Sequence, residues 1–203
     1  MGRTPSDRPV HIVDAALHAF AEHGFDGATW RMIADRAGVA QGLLTYHFGD
    51  KEALWREAYR TARARKMAAN PPVPVLDEDG PPPTRGCIEA WLSAYCESFA
   101  RHPELARMQV AEGQDGSPRT DWAARDTLKE DYDRFVRGLT RLQAHGFFEG
   151  VAPHHLVYML VGAAQYAFLV PGQMRLLTGQ DPRSDACIRA HAQAVTDLFM
   201  SRA

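Results

Sequence analysis

Between Thr29 and Lys51 the chain gathers side chains suited to one task, contact with a nucleic-acid duplex. Gln41 carries an amide that can pair with a base edge in the major groove, and Leu43 or Thr45 can touch a thymine methyl. Thr29, Tyr46, His47 and Lys51 can reach phosphate oxygens, assisted by backbone amides at helix starts. Arg31 and Gly42 complete the candidate DNA-contacting set. Rival chemistries lack their residues. The nine histidines include the neighbours His154 and His155, but adjacent helical positions point about 100° apart and chelate a metal poorly. No HExxH, Gly-rich phosphate loop or nucleophile elbow occurs. The expectation is therefore not an enzyme, with no catalytic residue, no metal and no cofactor. Cys87, Cys96 and Cys187 are odd in number, share no zinc-like spacing and read as reduced, small hydrophobes.

The candidate contacts need rigid elements to hold them, and the flanking pattern supplies helices. Ile12, Val13, Ala16, Leu17 and Phe20 recur at helical spacing, with Pro9 suited to a first turn and Gly24 to a stop. Thr29 can cap a short helix that runs to about Arg36. Gly38 breaks the chain, and a second short helix follows from about Ala40 to Tyr46. Ile33, Ala34 and Ala37 are expected to be buried by the first short helix, with Val39, Leu44 and Phe48 anchoring the second. An amphipathic helix, then two short helices joined by a tight glycine turn, is the layout of a helix-turn-helix. Asp50 can cap a longer helix with an apolar stripe of Leu54, Trp55, Ala58, Tyr59 and Ala62 and a basic end at Arg60, Arg63, Arg65 and Lys66.

At these residues the sequence resembles the tetracycline-repressor (TetR) family. The pattern lies in Phe25, Thr29, Ile33, Ala34, Ala37, Gly38, Val39, Gly42, Tyr46, His47, Phe48, Lys51 and Leu54, at unbroken spacing. Leu177, Thr178, Gly179, Asp181 and Pro182 also look like a motif recurrent late in such regulators. The resemblance implies an all-α homodimer, a C-terminal ligand pocket, and release of operator DNA when ligand binds. The chain departs from similar proteins at four positions. They often carry Tyr where Thr45 stands and a small hydroxyl residue where Leu43 stands. They usually carry an acidic residue at Met32 and a smaller one at Trp30.

Beyond this head the chain still reads as helix. Residues 70–83 hold six prolines and the acidic run Asp77, Glu78 and Asp79, a composition that sustains neither helix nor strand. The predicted organisation is a DNA-binding domain over 1–50, a connecting helix over 51–70, a Pro-rich linker over 71–83, and a ligand-binding and dimerisation domain over 84–203. Helices are expected around Ile88–Phe99, Pro103–Glu112, Arg119–His145, from near Pro153 until Pro171 or Gly172 interrupts it, and Pro182–Ser201. The fold class is all-α with about nine helices and no period-2 strand.

The body is rich in groups that could line a pocket. Candidates are Trp91, Tyr95, Met108, Gln109, Glu112, Trp122, Tyr132, Phe135, Gln165 and Phe168, although an aromatic stripe of this kind also suits plain core. The helix from Leu156 to Phe168 is apolar on more than one face and must bury two sides. Val157, Leu160, Val161, Ala164, Ile188, Val195 and Leu198 are the predicted dimer seam.

Charge and composition fit this division. The 203 residues are 45% hydrophobic and 24% charged, as in an ordinary globular protein. Residues 1–66 carry ten Lys or Arg against eight Asp or Glu, whereas the remainder carries thirteen against seventeen. A mildly basic head on an acidic body is compatible with nucleic-acid binding. Met1–Pro9 is polar and predicts no secretory signal, and the longest apolar stretch, Leu156–Val170, is short for a membrane span, so a cytoplasmic protein with no membrane partner is expected. The predicted function is a ligand-responsive repressor binding a palindromic operator, its partners being double-stranded DNA, a small-molecule effector and a second copy of itself. A helical interaction scaffold that never binds DNA, or an activator of the same family, are the alternatives.

Overall fold

The computed structural model describes residues 10–70, 73, 81–113 and 117–201. Pro9, the Met1–Pro9 segment and most of the Pro-rich 71–83 stretch lie outside the described residues. Within them every regular element is helical. The elements are α1 (Val10–Gly27), α2 (Trp30–Ala37), α3 (Gln41–Phe48), α4 (Lys51–Ala69), α5 (Arg85–Arg101), α6 (Glu104–Glu112) and α7 (Pro118–Ala123). A π-helical turn (Ala124–Leu128) leads into α8 (Lys129–Ala144), followed by α9 (Pro153–Leu169), α10 (Pro171–Thr178) and α11 (Asp185–Met200).

Local chemistry sets many of the ends. Gly24 leaves helical geometry at φ 68°, ψ 179°, so α1 kinks there and a last turn carries it to Gly27. The Thr29 hydroxyl accepts from the Met32 amide at 3.2 Å and caps α2. Gly38, at φ 67°, ψ 34°, ends α2 in the left-handed conformation, and the Val39 amide reaches back to the Ala34 carbonyl at 3.1 Å. Asp50 accepts from the Ala53 amide at 2.7 Å and starts α4. The helix expected from Pro182 begins at Asp185 instead, because Ser184 caps it through the Cys187 amide. Counting the consecutive stretches from 118 to 144 as one helix gives ten, against about nine expected. The additional one is α10: Pro171 cannot continue α9, and the chain restarts at an angle of 76°.

The chain divides into two compact units, Met1–Lys66 with Glu104–Thr120, and Met67–Pro103 with Asp121–Ala203. In the first, α1 packs against α2 and α6, and α2 against α3. Its core includes Ile12, Leu17, Phe20, Ile33, Leu44, Leu54, Trp55, Tyr59 and Met108. Each such side chain contributes about 1.5–3 kcal/mol by leaving water. In the second unit α5 packs on α9 and α11, α8 on α9, and α10 on α9. Arg85 donates to the Met200 carbonyl at 3.1 Å and Arg101 to Asp185 at 3.4 Å, so α5 and α11 run antiparallel. Ile88, Leu92, Leu139, Leu142, Leu156, Leu160, Ala164 and Ala192 fill the space between these helices.

Candidate nucleic-acid interface and the second unit

The short helix α3 has one anchoring side chain and a wide free face. Leu44 is completely buried, whereas Gln41, Gly42, Leu43, Thr45 and Tyr46 are exposed. Val39 and Phe48, expected as further anchors, are half-buried. Tyr46 is the most open of the group at 82% and meets the His47 ring edge-on at 5.2 Å. His47 and Lys51 are half-buried. Thr29 and Arg31 lie exposed at the start of α2, Arg31 within 3.8 Å of Asp35. All nine candidate contacts therefore fall within α2, α3 and the starts of α2 and α4. Five of them stand on the free face of α3. That face offers an amide, a hydroxyl, a phenol and an apolar side chain without a carboxylate among them, which suits base edges and phosphates.

The framework around α3 is tied by charges that periodicity does not reveal. Arg36 donates to Glu22 at 2.6 Å, joining α2 to α1. This hydrogen bond, more than the coulombic attraction of the same guanidinium, holds the Glu22 carboxyl below its ordinary range. Arg65 donates to Asp14 at 2.6 Å, joining α4 to α1.

The Phe25 ring has the Arg119 guanidinium 3.7 Å from its centroid and the Lys51 ammonium 4.6 Å from it. Arg119 also donates to Glu112 at 2.8 Å and to Glu52 at 3.3 Å. Ser117 donates to the same Glu112 oxygen at 2.7 Å. The pair is well shielded, with side chains 15% and 8% exposed. Burial pushes the Lys51 ammonium below its ordinary value, Asp26 opposes that and nearby Arg119 adds to it. Lys51 thus has an aromatic seat, and its neighbour Glu52 is held by Arg119. Neither Arg36 nor Arg119 carries a sequence signal of this role, because their partners lie on other elements.

The candidate pocket residues divide between the units. Met108, Gln109 and Glu112 belong to the first: Met108 is core, Gln109 donates to the Tyr59 hydroxyl at 3.1 Å, and Glu112 holds Arg119. Trp91, Tyr95, Trp122, Tyr132, Phe135, Gln165 and Phe168 belong to the second. There Trp91 stacks on Tyr95 at 5.5 Å and meets Phe135 edge-on at 5.9 Å. Tyr95 packs against Phe99 at 5.0 Å and Phe135 at 5.5 Å. Burial drives the Tyr95 hydroxyl well above the ordinary phenol value, so it stays protonated. Phe168 meets His191, whose Nε2 is 2.8 Å from the Ala163 carbonyl. Tyr132, Trp122 and Gln165 are half-buried. Two buried polar atoms in this unit, Trp91 Nε1 and Thr196 Oγ1, have no hydrogen-bond partner. Leaving such a group unsatisfied costs about 1–3 kcal/mol.

The seven seam candidates sit as follows. Val157, Leu160, Ala164, Ile188 and Val195 are buried inside the second unit itself and Val161 is half-buried, so of the seven only Leu198, at 66%, is exposed. An apolar periodicity does not distinguish a chain's own core from a partner's. The large apolar side chains that α9 leaves uncovered are Tyr158, Met159 and Tyr166, with Gly162 exposed among them.

No single helix among the described residues is long and apolar enough to cross a membrane. No group of three or more His, Cys, Asp or Glu suited to a metal ion occurs among them either.

Residues 12–58 match the family model of bacterial regulatory proteins of the tetR family, and residues 69–203 match that of the C-terminal region of YcdC-like proteins. The chain is similar to the HTH-type transcriptional repressor SCO4008 of Streptomyces coelicolor, 30% identical over 87% of this chain and 86% of that protein. It is also similar to the HTH-type transcriptional regulator RutR of Escherichia coli, 28% identical over 98% of this chain and 91% of that one. In fold it resembles the TetR-family regulator PfmR of Thermus thermophilus, with a TM-score of 0.65 at 18% identity, covering 94% of this chain and 97% of that one. It likewise resembles the fatty acid degradation regulator FadR of Bacillus halodurans, with a TM-score of 0.62 at 18% identity and 97% of each chain covered.

Proposed function

The chain belongs to the tetR family of bacterial regulatory proteins, and from that premise we propose that it represses transcription by holding a palindromic operator and releasing it when a small molecule binds the second unit. It is a helix-turn-helix DNA-binding regulator, not an enzyme. Regulators of this family bind operator DNA, form dimers and respond to small-molecule effectors. The observation that carries the reading is α3, pinned by Leu44 and turning Gln41, Leu43, Thr45 and Tyr46 outward.

In this reading α3 enters the major groove. Gln41 pairs with a base edge, Leu43 and Thr45 meet thymine methyls, and Thr29, Arg31, Tyr46, His47 and Lys51 hold phosphates. Gly42 has nothing within 4 Å of where a Cβ would stand, leaving the backbone open for close approach to DNA. A homodimer formed in the cytoplasm through the exposed apolar side chains of α9 and α11 places two such helices on two half-sites. Effector binding shifts the population toward a form that fits the operator less well, with a coupling of about 1–3 kcal/mol.

Selection from random duplexes tests this directly. The expected product is an inverted repeat whose affinity falls steeply with added salt, because several phosphates are neutralised. Gln41→Ala should relax preference at one base pair per half-site by about 1–3 kcal/mol. Recovery of no common sequence, or binding indifferent to salt, overturns the reading.

A further inference from the structure

Among the described residues, the interior of the second unit is aromatic, buries no charged side chain, and is short of hydrogen-bond partners at two atoms. Trp91 is 3% exposed and Thr196 4% exposed, and neither Trp91 Nε1 nor Thr196 Oγ1 has a partner. The antiparallel register of α5 and α11, fixed by Arg85 with Met200 and Arg101 with Asp185, sets Thr196 level with residues 89–90. That is within one helical turn of Trp91. Two other buried hydroxyls of this unit are spent: Ser98 bonds to the Tyr95 carbonyl at 2.6 Å, and Thr127 to the Ala123 carbonyl at 3.3 Å. The described residues of this unit include no buried Asp, Glu, Lys or Arg.

An indole N–H can only donate, whereas a threonine hydroxyl donates and accepts. A molecule completing both must bring an acceptor to Trp91 and a second polar atom to Thr196. Its body must suit neighbours such as the Trp91, Tyr95, Phe99 and Phe135 rings, which pack on one another and favour a flat ring packed offset or edge-on. It must also be uncharged, because an ion entering this interior would lose its hydration and none of the described charged side chains of this unit is buried to meet it.

We infer that the effector is a neutral aromatic or heteroaromatic molecule bearing a carbonyl or ring-nitrogen acceptor, held by the Trp91 indole N–H on α5 with Thr196 on α11 as the second polar contact. This deepens the repressor reading and rests on it for the word effector. The binding chemistry stands on the second unit alone.

The test uses the full-length protein labelled with 15N and three probes of one shape: benzamide, which is neutral with a carbonyl, toluene, which lacks an acceptor, and benzoate, which is charged. The Trp91 indole resonance is assigned by its disappearance in Trp91→Phe. Benzamide is expected to move that resonance downfield in a saturable way, and benzoate at the same millimolar concentrations to leave it in place. Trp91→Phe should weaken benzamide about tenfold, roughly 1.4 kcal/mol, and change toluene binding by less than twofold. The resonance reports on the unmodified protein, so the result does not depend on the variant folding well.

Benzoate binding as tightly as benzamide, equal losses for benzamide and toluene in Trp91→Phe, or a Trp91 resonance that no probe moves would each overturn the inference. Operator release is scored separately on duplexes selected as above. Benzamide bound at Trp91 with the operator retained counts against ligand-responsive repression and leaves this site standing. Release driven by molecules that leave Trp91 undisturbed does the reverse.

Discussion

The two units handle buried polarity in opposite ways. The first takes charges into its interior and satisfies them: Glu112 and Arg119 are largely shielded, and Arg119 is shared among Glu112, Glu52 and the Phe25 ring. The second, among its described residues, buries hydroxyls and rings but no charged side chain, and leaves an indole N–H and a hydroxyl unsatisfied. A unit that must present α3 to a fixed duplex geometry benefits from directional, fully paired contacts. In the reading proposed above, a unit that accepts a guest benefits from an incomplete interior. Polarity is paired in the first unit and, at Trp91 and Thr196, left unpaired in the second.

Substitutions can break this contrast. The largest effect is expected at Arg119→Met, which strands the Glu112 carboxylate in a shielded site and should destabilise by about 3–5 kcal/mol. Adding Glu112→Gln should restore part of that, as denaturant unfolding of the single and double variants would read. A double variant no more stable than Arg119→Met would mean the pair carries no weight. In the second unit the sign reverses. Thr196→Val removes an unsatisfied hydroxyl at nearly constant shape and should stabilise by about 1 kcal/mol. A loss of stability on thermal unfolding would show that the hydroxyl is satisfied in solution.

Thr29→Ala should cost about 1 kcal/mol through the lost α2 cap, measured by the same unfolding. The smallest effect is at Glu22. Its carboxyl titrates below the ordinary value because Arg36 donates to it, so its contribution is present above the unfolded carboxylate pKa and is lost as pH falls through the lower folded value. Both side chains are more than a third exposed, and screening keeps the contribution below about 1 kcal/mol. Arg36→Ala should flatten this part of the acid limb of stability against pH and lower neutral stability by less than about 1 kcal/mol.

Features bonded to near neighbours were legible in the sequence. The Thr29 and Asp50 caps, the Gly38 stop and the outward set on α3 depend on residues within a few positions of each other. The Arg119 cluster was not, because Glu52 is 67 residues away and nothing local marks the pairing. Met108, Gln109 and Glu112 looked like part of the body because α6 follows the Pro-rich stretch in order. Packing of α6 against α1 makes them part of the first unit's interior. Leu160 and Ala164 have an apolar spacing that fits either a chain's own core or an interface, and in the single chain both are buried.

The π-helical turn at Ala124–Leu128 has a heritable consequence. There the Lys129 amide bonds to the Ala124 carbonyl, one residue further back than in a regular helix. A single-codon deletion elsewhere in this helical run would swing one flank by about 100° and turn Leu139 and Leu142 out of the core. A deletion within 124–128 would only tighten the turn to regular α-helix, with both flanks keeping their faces. It is the place where the gene can lose one codon without rewriting what the helix presents.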